Sequence, residues 1–305
     1  MQCIRPLTAS FDSQGTITFS KKQAEEGLVP FRLPCGKCLA CCLNTAREKG
    51  IRAWHESKYH ADSIFLTLTY DDKHLPGPKL HVPDSQNFIK RLRRSLNHPI
   101  GVVTTGEYGT KTRRPHWHYL IFGWSPSDKT KSRETDFGST FTSGLVDSLW
   151  ESRGRHEIGA VTLESASYVA RYGAKALGET DPAFRPHHRT GSKRALGKAW
   201  IIDNHKHALS NGFIVLPDGN VGKIPRYYTD WARREVPELW KHYVTEVRPE
   251  LEKRAAEKQR REELEFFTNL INYSGGRGMY PLNRRQVEFT ILKSKFKELA
   301  KNWSL

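Results

Sequence analysis

Three short runs of β-branched and aromatic residues fix the architecture open to this chain. Ile64 to Tyr70 reads IFLTLTY and is closed by Asp71, Asp72 and the turn LPGP, which predicts a buried strand. Ile100 to Glu107 (IGVVTTGE) and His116 to Trp124 (HWHYLIFGW) are joined by the turn-forming YGTKTRRP and predict an antiparallel hairpin with an eight-residue connection. Between the first strand and the hairpin, Asp84 can cap a helix whose apolar Phe88, Ile89, Leu92 and Leu96 share one side, leaving Lys90, Arg91, Arg93 and Arg94 toward solvent or ligand. A helix over Thr142 to Glu151, a strand over Ile158 to Leu163 and a helix over Ser165 to Leu177 follow, while the polar stretch Ser125 to Ser139 reads as an exposed insertion loop. The order β, α, β, β, α, β, α predicts an α+β fold of the split βαβ plan, ferredoxin-like, with an antiparallel sheet and helices packed on one face.

With 305 residues the chain has room for one or two domains. We divide it into an N-terminal segment with a cysteine cluster and a helix (1–60), a core (61–180) and a basic, mainly helical C-terminal region (181–305). No run of about 18 apolar residues occurs, and MQCIRPLTASFDSQG lacks the basic-then-apolar pattern of a signal peptide, so neither membrane insertion nor secretion is expected. Lys and Arg exceed Asp and Glu by a net charge of +16, which points to a polyanionic partner. The excess is concentrated in two stretches: Lys90, Arg91, Arg93, Arg94, Lys111, Arg113 and Arg114 in the first, and Arg185, Arg189, Lys193, Arg194, Lys198 and Lys206 in the second. Both are candidate phosphate-facing surfaces. Glu250 to Glu265 alternates in sign and reads as a solvated helix face.

His116 and His118 flank Trp117. On a strand they project from one face, about 6.5–7 Å apart, while Trp117 points the other way into apolar packing. Two imidazoles so placed suit a divalent ion, and Glu107, at the end of the neighbouring hairpin strand, can supply a third, oxygen ligand. His205 and His207 have the same spacing but lie in no clear strand. Tyr168 and Tyr172 are four residues apart in SYVARYGAKAL, so on a helix the phenols lie about 40° apart on one face, with Lys175 on that face too. Tyrosines at this spacing are more often core, although core aromatics rarely share their stripe with a lysine. A tyrosine nucleophile needs a metal-polarised phosphodiester and a neighbouring cation, because a phenol ordinarily titrates near 10.

The strand FLTLTY, the block GEYGTKTRRPHWHYLIFG and the helix YVARYGAK, in that order, resemble the three motifs of HUH endonucleases. Within that superfamily the chain is most similar to the replication initiators of gokushoviruses, circular single-stranded-DNA phages, and CGKCLACC and RPHWH strengthen the likeness. The resemblance implies Mg2+ or Mn2+ held by His116, His118 and Glu107, with Tyr168 and Tyr172 as alternating nucleophiles and Lys175 orienting phenol or phosphate. Arg171 stands where related initiators carry lysine, and Lys90, Arg91, Arg93, Arg94, Arg113, Arg114 and Arg171 are the expected DNA-binding residues. It further implies nicking and joining of DNA at a replication origin through a 5′-phosphotyrosine, on single-stranded and supercoiled circular DNA, in the cytoplasm of a bacterial host. No phosphate-binding G-x-x-x-x-G-K-[ST] occurs, so a host helicase and DNA polymerase are the expected partners.

Two rival readings stand beside this one: a non-catalytic nucleic-acid-binding module, and a plasmid initiator or transposase of the same superfamily. The cysteines leave a choice as well. Cys35, Cys38, Cys41 and Cys42 are candidates for a structural Zn2+, but Cys41 and Cys42 are adjacent and begin a helix carrying Ala46, Trp54 and Tyr59. Cys3, His55 or His60 would then have to complete a tetrahedral set, and buried or free thiols are the alternative.

Overall fold

A computed structural model describes residues 3, 5–109, 112–135, 138–179, 181–190, 194–271 and 287–294. The chain opens with three short strands, β1 (Leu7–Phe11), β2 (Ile17–Thr18) and β3 (Phe31–Leu33), which form a small sheet ordered β2-β1-β3 ahead of helix α1 (Leu39–Ser57). There follow β4 (Ser63–Leu68), α2 (Val82–Ser95), β5 (Gly101–Tyr108), β6 (Pro115–Phe122), β7 (Thr130–Thr135), β8 (Gly138–Thr142), α3 (Gly144–Leu149) and β9 (His156–Ala160). After these come α4 (Leu163–Ala170), α5 (Tyr172–Lys175), β10 (His187–Thr190), α6 (Lys198–Asn211), β11 (Ile214–Val215) and β12 (Val221–Gly222). The C-terminal region is helical: α7 (Arg226–Glu235), α8 (Pro237–His242), a π-helical turn over Tyr243–Val247, and α9 (Arg248–Ile271).

Seven strands make one antiparallel sheet ordered β10-β5-β6-β4-β9-β8-β7, so the α+β fold with an antiparallel sheet and flanking helices is as expected. The predicted hairpin is β5–β6, and β6 is central, with β5 and β4 on either side. Nearly every residue of β6 is buried, so both of its faces need cover, and the helices pack on two faces where one was expected. On one face Trp117, Tyr119 and Ile121 join Phe88 and Leu92 of α2, Val146 and Leu149 of α3, and Trp150. On the other, Leu120 and Phe122 join Ala53 of α1 and Ala166 and Val169 of α4. The C-terminal helices pack on the far side of α1, through Ile51, Ile201, Leu209, Tyr228 and Trp231.

Local details depart from the sequence reading for identifiable reasons. The stretch expected as a loop contains β7, which pairs with β8 at the sheet edge; its residues are polar because an edge strand has a solvated face, and Arg133 holds it to Glu157 of β9 at 2.6 Å. Asp84 does not cap α2. The cap position is His81, and Asp84 sits buried in the first turn, where its carboxylate accepts from Tyr70 Oη at 3.1 Å and pairs with Arg153 at 3.0 Å. The helix expected over 165–177 begins at Leu163, behind a capping box in which Thr162 and Ser165 bond reciprocally, and it breaks at Arg171. His205 and His207 lie in α6, where residues two apart point to different sides.

The approach of α1 to α4 is close. A Cβ on Gly50 would lie 2.5 Å from Ser167 Oγ and 2.8 Å from Ser167 Cα, so glycine sets the interhelical distance. Gly50→Ala is expected to lower unfolding free energy by about 1–3 kcal/mol in urea titration, since the backbone of α4 has to move. His55 is buried between layers, stacked on Trp200 at 3.7 Å between ring centroids and bonded through Nδ1 to Tyr228 Oη at 2.9 Å. Burial, with a smaller contribution from Lys58, pushes its pKa from 6.5 down to about 3. The unfolded chain therefore binds a proton that the native one does not as pH falls below 6.5, and the stability this neutral histidine provides is full above that value and lost toward pH 3. Urea midpoints measured across this range should fall with acid, and His55→Asn should take up close to one proton fewer on unfolding.

Candidate active site

The hairpin register puts Glu107 directly opposite His116, and Thr105 directly opposite His118. On the other side of β6, Thr67 of β4 is opposite His118. All five side chains therefore lie on one face of three adjacent strands, the face covered by α4. Glu107 is buried, and its Oε1 lies 3.2 Å from His116 Nε2, 3.1 Å from His118 Nε2 and 2.6 Å from Tyr168 Oη, which donates to it. Lys175 Nζ bonds to Oε2 and sits over the Tyr168 ring, 4.3 Å from its centroid. Tyr168 also meets the His118 ring edge-on, at 5.0 Å and 89°, and Phe65 packs against both rings.

Electrostatics follow from this burial. Desolvation alone would raise the Glu107 pKa, but the hydrogen bonds from His116 and His118 and the charge on Lys175 outweigh it and hold the carboxyl well below the usual range. Burial, then the negative charge of Glu107, lifts the Tyr168 phenol well above 10. His118 is pushed down to about 4 by burial against the opposing pull of Glu107.

The three groups fit a cation. Their ligand atoms all lie within 4.8 Å of one another. His116 Nδ1 faces the carbonyl of Arg114 at 3.2 Å, and because a carbonyl only accepts, Nδ1 carries a hydrogen there. In the neutral ring Nε2 then presents a lone pair toward Glu107 Oε1, acceptor against acceptor, which is relieved by a proton or by a metal ion between them. Thr67 Oγ1, 3.0 Å from His118 Nδ1, fixes the second ring in the same way.

Of the sequence-predicted residues, Glu107, His116, His118, Tyr168 and Lys175 are brought together. The Tyr172 side chain, Lys111 and Lys193 lie outside the described residues. Arg171 is half-buried at the break between α4 and α5. Lys90, Arg93 and Arg94 are exposed on α2, which covers the sheet face opposite the one carrying the histidines. Arg91 pairs with Glu151 at 2.9 Å and donates to the carbonyl of Leu149, Arg114 binds Asp72 and the carbonyl of Tyr70, and Arg113 pairs with Glu179 at 2.7 Å beside Phe184.

The sequence reading missed Thr67 and Thr105, whose Oγ1 donates at 3.0 Å to the carbonyl of Val169 and so ties β5 to the tyrosine helix. It also missed a cavity of about 410 Å3 on that helix, lined by Lys49 and Arg52 of α1 with His188, Thr190 and Arg194. The three-residue spacing of Lys49 and Arg52, which places both on one side of a helix, was its available signal.

Residues 63–177, which include every group of the cluster, match the family model for replication-associated protein ORF2. The chain is 47% identical to replication-associated protein VP4 of Bdellovibrio phage phiMH2K over the whole of both chains. It is 30% identical to replication-associated protein ORF2 of Spiroplasma virus 4, over 83% of this chain and 88% of that one. With replication-associated protein ORF4 of Chlamydia phage 1 it shares 32% identity, over 68% of this chain and 55% of that one. The chain belongs to this family of replication-associated proteins, and membership supports a role in phage replication. No solved structure matches it significantly. Among the described residues no helix is long and apolar enough to cross a membrane.

Thr105→Val keeps the shape of the side chain and removes its donor to Val169. We expect a loss of about 1–2 kcal/mol in chemical unfolding, with the far-ultraviolet spectrum unchanged.

Proposed function

We propose that the chain initiates rolling-circle replication of a circular single-stranded-DNA phage, nicking and joining origin DNA through a 5′-phosphotyrosine. The observation that carries this reading is the contact of Tyr168 Oη with Glu107 at 2.6 Å, inside a cluster that also holds His116, His118 and Lys175. A divalent ion, Mg2+ or Mn2+, held by Glu107, His116 and His118 supplies the polarisation of the scissile phosphate. Tyr168 attacks phosphorus through Oη and gives up its proton; the bond to the 3′ oxygen breaks, and that oxygen leaves as a hydroxyl. Lys175, beside the phenol and the carboxylate, compensates negative charge as the tyrosine ionises. Tyr172 takes the second cleavage, after which the free 3′-hydroxyl attacks the first phosphotyrosine and closes the circle.

The released 3′-hydroxyl primes a host polymerase, with a host helicase opening the duplex in the cytoplasm of the bacterial host. Residues 61–180 form the endonuclease core in this reading. DNA affinity is drawn from Lys90, Arg93, Arg94, Arg113 and Arg171, with Arg91 and Arg114 reaching phosphate only by giving up their present partners. A binding module or another initiator of the superfamily would share the net charge. The buried carboxylate weighs against the module, because phosphate contact has no use for an acid held away from water.

The test mixes the full chain with labelled single-stranded oligonucleotides tiling the circular genome that encodes it, with Mn2+, on a denaturing gel. A covalent protein–DNA adduct is expected for one tile. Tyr168→Phe with Tyr172→Phe should abolish it, and His116→Ala should abolish cleavage while leaving most of the salt-sensitive binding. No adduct with any tile, or an adduct that survives the double tyrosine change, overturns the reading.

A further inference from the structure

Four cysteines converge at the entrance to α1, away from the cluster on Glu107. The Sγ atoms of Cys3, Cys35, Cys38 and Cys41 all lie within 4.8 Å of one another, and no disulfide joins any of the five cysteines. Cys3 Sγ and Cys38 Sγ are 3.8 Å apart. That is far beyond the roughly 2.05 Å of a disulfide, and it matches the edge of a tetrahedron with metal–sulfur bonds of about 2.3 Å, which is about 3.8 Å.

The backbone is arranged for thiolates. The amide of Cys35 donates to Cys3 Sγ and that of Cys38 to Cys35 Sγ, each at 3.3 Å. Gly36, at φ +71°, makes the turn that brings Cys35 and Cys38 to one side. Cys38 is the N-cap of α1, its side chain makes no capping bond, and the first turn of this 19-residue helix holds no acid, so negative sulfur would meet the helix dipole where no other anion does. Cys42 turns away, toward the carbonyls of Gly36 and Lys37.

We propose that Cys3, Cys35, Cys38 and Cys41 form a structural tetrathiolate zinc site, with Cys3 in the place that Cys42 was expected to take. Four sulfur ligands in a closed set suit Zn2+ in a structural role rather than a catalytic one. The fold gives such an ion work to do. In the β2-β1-β3 sheet only Ala9, Ser10 and Thr18 are buried, and strands of two to five residues with so little core do not hold themselves in place. Zinc would anchor this sheet to α1 through Cys3, and α1 in turn packs on the tyrosine helix at Gly50.

The full chain purified without chelator is expected to carry one equivalent of zinc, released by a mercurial thiol reagent. Exchange into Co2+ should produce strong sulfur-to-cobalt charge-transfer absorption, which Glu107, His116 and His118 cannot give because they offer no sulfur. Cys3→Ser and Cys41→Ser should lose that band, Cys42→Ser should keep it, and Cys3→His should restore binding with a shifted band. The proposal is overturned if the soluble wild-type chain with a native circular-dichroism spectrum takes up Co2+ without the band, if it carries iron in place of zinc, or if Cys42→Ser loses the band while Cys3→Ser keeps it. None of these readouts depends on DNA cleavage.

Discussion

Glu107 is a carboxylate taken out of water, and the surrounding structure answers that cost. An isolated buried charge is too unfavourable to persist, so each lone pair must find a donor or a cation. His116, His118, Tyr168 and Lys175 provide them, from β6, α4 and α5. The cluster is thereby a meeting point of the sheet and the helix covering it, and both must be in place for the carboxylate to stay ionised. The same cluster holds the phenol protonated, since the negative charge of Glu107 raises its pKa. A cation shared by Glu107 and the histidines would spend that charge on the ion and ease the ionisation of Tyr168. Metal occupancy and tyrosine reactivity are in this way coupled through one carboxylate.

Rigidity comes from the opposite face. Trp117, between the two histidines, is fully buried and donates through Nε1 to Tyr70 Oη at 3.1 Å, and Tyr70 donates in turn to Asp84. Tyr119, the next residue on that face, donates to Ser85 Oγ at 2.9 Å. The strand carrying the histidines is thus clamped from behind by the first turn of α2. In front, Thr67 and Thr105 hold the His118 ring and the end of α4. A site of this kind needs both supports, because a ligand side chain is only as well placed as its strand.

Much of this was legible in the sequence. Two-residue periodicity puts His116 and His118 on one face whatever the fold, and the hairpin connection brings Glu107 back beside them. Lys175 was legible through helical spacing, and although the helix breaks at Arg171 the lysine still reaches the carboxylate. Thr67 and Thr105 were not, because which strands flank β6 depends on the sheet order, and a threonine in a strand has no pattern of its own. Cys3 was hidden by its distance from the other cysteines: β1 to β3 fold back before it meets them. The strand β7 was hidden because polar edge strands imitate loops. The charge pattern showed which residues of α2 face outward, but not which face of the sheet α2 covers, and that placed Lys90, Arg93 and Arg94 across the sheet from the histidines.

That placement changes how the positive charge can work. A strand of DNA engaging Tyr168 approaches the face formed by α1 and α4, where Lys49, Arg52 and Arg194 line a cavity and Lys175 and Arg171 are near the phenol. The exposed bases of α2 lie on the far side of a sheet about one domain layer thick, roughly 10 Å, comparable to a screening length of about 8–10 Å in physiological salt. They can attract DNA at long range, but they cannot share one phosphate with the tyrosine. Close contacts must then fall to bases on the near face, several of which are half-buried and already hydrogen-bonded, as Arg52 is to the carbonyl of Leu196 at 2.9 Å. A base held in this way loses little conformational entropy on binding, so the near face favours a defined path for the strand over loose electrostatic capture.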